Sequence, residues 1–462
     1  MPLLLPTRAD FRALLALALP VVVVQVGLMT MGVVDTIMVG HLSPAALAGV
    51  ALGNVYFFGA AIFGLGVLMA LDPVIAHAVG AGDHAAIGRG VQRGVVLAVL
   101  LTIPTALLLW PAPEFLAFLR QPAEVAPAAG AYARVSIPGV LGLFLFTVFR
   151  QSLQALHRVR PIVITIVLAN LANVLLNWVF IYGRLGAPAL GVAGAALATT
   201  ICRLLMAALL LLLAWPLLGP HVRPFHREAL ERRPLGRLLR LGAPIGAQHQ
   251  LEYGVFGLVA LLMGRMGTHQ VGGHQIALNL ASVTFMVPLG LSAAAAVVVG
   301  HAVGRGDRAA TTRLAGAALA VAVGFMGATA LAFLLLPTPL ARLYTEAPEV
   351  LAIAAALIPL AGVFQVFDGI QVTAIGILRG LGDTRTPMLT GLLGFWLLGL
   401  PVSLYLGFTR GHGPVGLWWG LVLGLVSVAI VLLIRLQHRL GQPLARVRLD
   451  ADPHLVEEAL EG

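Results

Sequence analysis

The sequence predicts an all-α integral membrane protein, with twelve transmembrane helices in two parallel-related six-helix lobes. Four observations carry this. The chain of 462 residues is 59% hydrophobic and 10% charged, whereas a soluble domain carries roughly 25% charged residues and keeps a large polar exterior. The apolar runs are long and continuous rather than alternating, which selects helices over a β-barrel. At about 20–25 residues per span, with short connections, the length accommodates roughly twelve. Finally, the chain repeats itself: residues 76–86 read AHAVGAGDHAA and residues 300–310 read GHAVGRGDRAA, 224 positions on. Leu153, Leu156 and Arg160 recur as Leu378, Leu381 and Arg385, 225 positions on. An even number of spans separates the copies, so the halves run in the same sense, related by an axis along the membrane normal, which is a transporter layout.

Clusters of Gly, Pro and charge punctuate the runs. The first span, 13–38, follows Arg8 and Arg12 and begins like a signal peptide. It continues past Asp35 without a small-residue cleavage site, so it reads as a span. The next five cover 45–70, 89–110, 126–149, 161–183 and 190–215. The polar stretch from Pro216 to Arg240 is too short and too charged for a domain, and reads as a cytoplasmic linker. The second set covers 241–264, 271–299, 310–336, 348–377, 387–408 and 415–435. Residues 1–215 are thus the expected N-lobe, 216–240 the linker, 241–435 the C-lobe and 436–462 a cytoplasmic tail. Gly90/Gly94, Gly376/Gly380 and Gly420/Gly424 have the spacing of close helix packing.

All 29 basic residues are Arg, against 19 acids. With the N-terminus inside, 22 Arg fall in inside loops and five (Arg120, Arg184, Arg265, Arg342 and Arg410) in outside loops. Arg134 and Arg203 are left within spans. This bias puts both termini in the cytoplasm, and it accounts for the basic balance without a nucleic-acid partner; the expected surroundings are membrane lipid. One cysteine, Cys202, excludes an intrachain disulfide or a cysteine zinc site. There is no Lys for a phosphate-binding loop, no HExxH, no GxSxG and no GxGxxG opening a helix, so no enzyme is expected. His77 and His301, partners in the repeat, read as scaffold.

Four acids lie outside the loops and tails: Asp35, Asp72, Glu252 and Asp368. Each costs about 2.5–3.5 kcal/mol at the bilayer centre. Any one of them is explained by protonation or by pairing with Arg203; three deep acids against two Arg are harder to explain that way. Asp72 precedes Pro73 near the cytoplasmic end of its span, within reach of water. In the repeat, Glu252 aligns with Leu28, Asp368 with Leu143 and Asp35 with Val259, so each half carries its own polar site. A carboxyl away from water favours its neutral form and a nearby cation favours its charged form, the physical basis for exchanging a proton or Na⁺ against a cationic substrate. Asn173 and Asn177 stand four apart on one helix face, with Asn170 beside them. Interhelical hydrogen bonding and a hard-oxygen set suited to Na⁺ both account for them. Phe57, Phe58, Met69, Phe256, Phe285 and Met286 are either plain core or an adaptable wall for varied substrates.

Four stretches carry a resemblance to a known family: MGVVDTIMVGHLSPAALAGVALGN around Asp35, LANLANVLLNWVFIYG, PIGAQHQLEYGVFGLVALLMGRMGTHQVGGHQIALN around Glu252, and FQVFDGIQVTAIGILRGLGDTRTP around Asp368. On these, over nearly its whole length, the chain resembles the multidrug and toxic compound extrusion (MATE) family in its NorM-like branch. The resemblance implies two lobes that alternate access and a secondary active antiporter exporting cationic, often aromatic drugs and toxic organic compounds for Na⁺ or H⁺. No cofactor beyond that coupling ion, a monomer, and a bacterial inner (cytoplasmic) membrane are implied with it. Carried over by position, Asp35, Asn173, Asn177 and Thr199 would form an N-lobe cation site, with Na⁺ at Asp35, Asn173 and Asn177, and Glu252 and Asp368 would be C-lobe cation or substrate carboxylates. Many relatives have Tyr one turn before Asp368; here it is Phe364, which offers no oxygen to a cation. The competing reading is a lipid-linked precursor flippase of the same broader superfamily, for which a strongly basic cavity would be expected.

Overall fold

A segment in lipid satisfies its backbone within a helix or a closed barrel, and the apolar runs among the described residues of this chain are helices. The computed structural model describes residues 5–450 apart from 120 and 123, and among these there are helices and turns but no strand. Arg120 of the outside set, residues 1–4 of the N-lobe and residues 451–462 of the tail lie outside the described residues. Among the described residues ten helices are long and apolar enough to cross a membrane, and a bent pair, Ala126–Val135 with Ile137–Ala155, makes an eleventh. Arg232–Met266, at 35 residues, is long enough to be the twelfth; it falls below the apolarity of the others because Gln248, His249, Gln250 and Glu252 sit in its middle.

The internal repeat extends to the helix ends. Pro44–Ala81 and Thr268–Arg305 are both 38 residues long and begin 224 positions apart. Arg8–Gly40 and Arg232–Met266 begin with the same offset, as do His84–Leu109 and Arg308–Leu335. The repeat motif itself makes the same turn twice. Gly82 and Gly306 take φ +70 and +74, the left-handed geometry that favours glycine. Asp83 and Asp307 then cap the next helix, each accepting from a backbone N–H at 2.9 Å (Ala86 and Ala310). The copies are not identical. The pair bent by 50° at Ser136 corresponds to the continuous Pro348–Gly380.

The chain divides into two compact units, Val23–Gly246 and Met1–Val22 with Ala247–Gly462. These bounds differ from the lobe limits expected at 215 and 241. Within the first unit the expected linker is folded: Gln92 donates to the carbonyls of His221 at 3.1 Å and Pro224 at 2.9 Å, and accepts from the His226 amide at 2.9 Å. The start of Arg232–Met266 stays with that unit because Gly242 and Gly246 lie against the backbone of Pro44–Leu68. In the second unit, Val22 lies against Gly290 and Arg313 Nε reaches Asp10 Oδ2 at 3.2 Å, which holds the start of Arg8–Gly40 there. Both divided helices carry Pro near the division, Pro20 and Pro244, again 224 apart.

The expected glycine pairs pack helices. A Cβ on Gly380 would lie 2.7 Å from the Ala296 carbonyl oxygen, one on Gly424 2.7 Å from that of Gly394, and one on Gly94 2.7 Å from Leu71 Cδ1. Two Arg assignments change. Arg93, counted with the inside loops, is buried in His84–Leu109 and donates to the Glu228 carbonyl. Arg134 ends the short helix before the bend, exposed, with Nη2 2.7 Å from Glu114.

Candidate functional site

In the first unit, Asp35 lies five residues before the end of Arg8–Gly40 and is 4% exposed. Arg160–Tyr182 presents Asn173 and Asn177 to it, both fully buried, and Gly191–Leu213 presents Thr199. Asn173 Nδ2 donates to Asp35 Oδ1 at 3.0 Å, Asn177 Nδ2 donates to the same oxygen at 2.5 Å, and Thr199 Oγ1 donates to Oδ2 at 2.6 Å. Three helices thus converge on one carboxylate, which accepts from Asn173, Asn177 and Thr199. Asn170 turns away, donating to the Gly27 and Ile166 carbonyls. Three donors stabilise a charged carboxylate, since hydrogen bonds to ionised groups are the strong ones.

The amide oxygen of Asn177 is buried without a hydrogen-bond partner. An orphaned acceptor beside a carboxylate is costly unless a cation uses it. Oxygens of Asp35, Asn177 and Thr199 therefore fit a small hard cation such as Na⁺, and a proton on Asp35 is the alternative occupant.

In the second unit, Glu252 on Arg232–Met266 and Asp368 on Pro348–Gly380 are half-buried and lie within electrostatic range of each other. Glu252 Oε1 accepts from Gln248 Nε2 at 3.2 Å and Gln371 Nε2 at 2.8 Å. Neither glutamine was nominated. Their signal was spacing: Gln248 is one turn before Glu252, and Gln371 is three residues after Asp368. Phe364, where relatives carry Tyr, sits in a row of rings, 6.1 Å from Phe256 and 5.8 Å from Trp418. Trp418 Nε1 in turn donates to His274 Nδ1 at 3.2 Å. Glu252 is thus held by two glutamine amides, whereas Asp35 is held by two asparagine amides and a threonine hydroxyl.

The expectation that Asp72 reaches water is overturned. It is fully buried, in the first turn of Leu71–Gly80, where every residue from Leu71 to Ala78 is buried. Phe57 is core, fully buried, and Phe58 packs edge-on against it. Among the described residues Arg203 forms no ion pair with an acid; its guanidinium carbon stands 3.9 Å from the centre of the Phe57 ring. Position along a span could not reveal this, because the partner comes from another helix.

The sequence and fold were compared with known proteins. The model of the MatE family matches residues 20–179 and 244–405. A probable multidrug resistance protein NorM of Mesorhizobium japonicum is 38% identical over 458 residues, covering 95% of this chain and 96% of that protein. A second of that description, from Rhizobium meliloti, is 38% identical over 431 residues, covering 91% and 92%. Among solved structures, a eukaryotic MATE transporter superposes with a TM-score of 0.87 at 22% identity, covering 98% of each chain. A mutant MATE transporter of Vibrio cholerae gives 0.84 at 19% identity, covering 94% of this chain and 98% of that one. These two likenesses concern the fold.

Proposed function

Since the chain belongs to the MatE family, a family of transporters rather than enzymes, we propose that it is a secondary active antiporter exporting cationic, aromatic drugs and toxic organic compounds in exchange for Na⁺ or H⁺. The observation that carries the reading is the Asp35 cage, a buried carboxylate held by Asn173, Asn177 and Thr199. Its supports are two curated relatives described as multidrug resistance proteins. Asp35 accepts the coupling cation, with Asn173, Asn177 and Thr199 as its companions. Glu252 and Asp368 offer a second pair of carboxylates to the cation or the substrate, with Gln248 and Gln371 orienting Glu252.

Exchange needs only that the two ligands favour different states of the protein, because a ligand shifts an equilibrium by its differential affinity. A cation entering the cage neutralises Asp35 and competes with the three hydrogen bonds that stabilise the empty carboxylate. That changes the local balance at the meeting of three helices, which is where a conformational switch gains leverage. The two lobes that alternate access are the N-terminal and C-terminal six-helix halves, joined by a cytoplasmic linker, in the cytoplasmic membrane with both termini inside. The coupling ion is cargo, and the monomer needs no resident cofactor.

The test is dye efflux from vesicles with Na⁺ and pH gradients imposed separately, for the wild type and Asp35→Asn. Gradient-driven efflux that vanishes in the variant is the expected result. Efflux unchanged by Asp35→Asn, Glu252→Gln and Asp368→Asn together would refute the carboxylate mechanism. Failure of the wild type to protect a pump-deficient host from cationic dyes, with lipid-precursor export intact, would point to the flippase instead.

A further inference from the structure

Arg203 is a buried cation that the exchange mechanism above leaves unused. It lies on Gly191–Leu213 four residues after Thr199, hence on the same helix face, and Thr199 donates to Asp35. The side chain is 5% exposed. Its Nη1 is buried without a hydrogen-bond partner. The guanidinium is held instead by rings, 3.9 Å from the centre of Phe57 and 6.0 Å from that of Phe58, a cation–π arrangement that keeps the charge without using a carboxylate. The fold makes room for it. A Cβ at Gly139 would lie 3.3 Å from Arg203 Cδ, and one at Gly142 2.7 Å from the Arg203 carbonyl. The groups that share its field are Asp35 from Arg8–Gly40, Tyr132 from Ala126–Val135 and the adjacent Cys202. Among them Asp35 is the carboxylate.

A full positive charge kept in a membrane span without a hydrogen-bonded counter-ion is expensive. A structural pair would close the ring-held guanidinium onto Asp35; here the asparagines and Thr199 occupy the carboxylate oxygens and the rings occupy the guanidinium. The two charges are separated but coupled through a medium of low polarity, where the interaction reaches well beyond contact.

We propose that Arg203 is the resident counter-cation of the Asp35 site: a fixed charge, parked on Phe57, that repels the entering small cation and thereby sets both the concentration at which Asp35 is occupied and the ease with which the cation leaves. This rests on Asp35 being the coupling site, as read above.

The experiment measures dye efflux in vesicles against coupling-cation concentration, with Na⁺ at fixed pH and with protons in the absence of Na⁺. Arg203→Met removes the charge with a side chain that fits an apolar slot, Arg203→Gln is a second neutral form, and Arg203→Lys keeps the charge. Each neutral variant is expected to half-saturate at a cation concentration about tenfold lower, with a lower maximal rate because release has lost its repulsion. Arg203→Lys is expected to stay close to the wild type in both. A loss of rate with an unmoved half-saturation point would overturn the proposal, as would neutral variants that fail to fold while Arg203→Lys folds, since the charge would then be structural. Asp35→Asn run alongside separates the two ideas: if it leaves coupled efflux intact, the Asp35 reading fails. If it abolishes coupling and Arg203→Met moves nothing, only the counter-cation is lost.

Discussion

Thr199→Val tests the Asp35 cage and reads out the coupling ion at the same time. The substitution keeps a β-branched side chain on Gly191–Leu213 and removes one atom's chemistry, the hydroxyl that donates to Asp35 Oδ2 at 2.6 Å. That bond is short, buried and made to a carboxylate, so its loss is worth about 1.5–3 kcal/mol, or roughly one to two decades in a binding constant. The sign depends on the ion. If a proton is the coupling ion, the charged carboxylate loses a donor that opposed protonation, and the half-maximal pH of efflux rises by about one to two units. If Na⁺ is the coupling ion, the hydroxyl oxygen is lost as a ligand, and half-saturation needs about tenfold more Na⁺ or greater. Efflux from vesicles, titrated with each ion in turn, distinguishes the cases. Curves superimposing on the wild type within about twofold for both ions would refute the assignment of Thr199 to a working cation site.

Two further predictions concern the scaffold. Asp83→Ala and Asp307→Ala each remove the same N-cap from equivalent helices, so each costs about 1 kcal/mol of stability. Similar falls in melting temperature in detergent are expected, and a large effect from only one would show that the repeat is not energetically equivalent there. The linker clasp is pH-sensitive: burial, and after it the charge of His84, holds the His221 imidazole below its usual range. The folded clasp prefers neutral His221, so its stability is present above about pH 6.5 and is lost as pH falls below that value. Hydrogen exchange of residues 219–228, corrected for intrinsic rates, should rise on acidification, and a flat profile would count against the clasp.

Membership of a membrane class, the helix count and the twofold repeat were legible in the chain, because lipid leaves a helix as the only way to satisfy a long apolar run and a duplicated turn keeps its glycine and aspartate. Asp35, Glu252 and Asp368 were legible for the complementary reason: an acid in an apolar span is expensive enough to need a purpose. Asn173 and Asn177 share a face by helical periodicity alone, whereas Thr199 entered only through resemblance, since one Thr among apolar residues carries no signal of its own.

Packing decided the rest. Periodicity says which residues share a helix face but not which other helix that face meets. Gln371 on Glu252, Phe57 under Arg203 and the burial of Asp72 were therefore out of reach of the sequence. The unit bounds were equally hidden, because Gly242, Gly246, Val22 and Asp10 take sides through contacts that close only when distant segments come together. Burial cost, periodicity and turn chemistry act along the chain and can be read from it; partner choice, and with it the working geometry of a site, arises between helices and exists only in the folded protein.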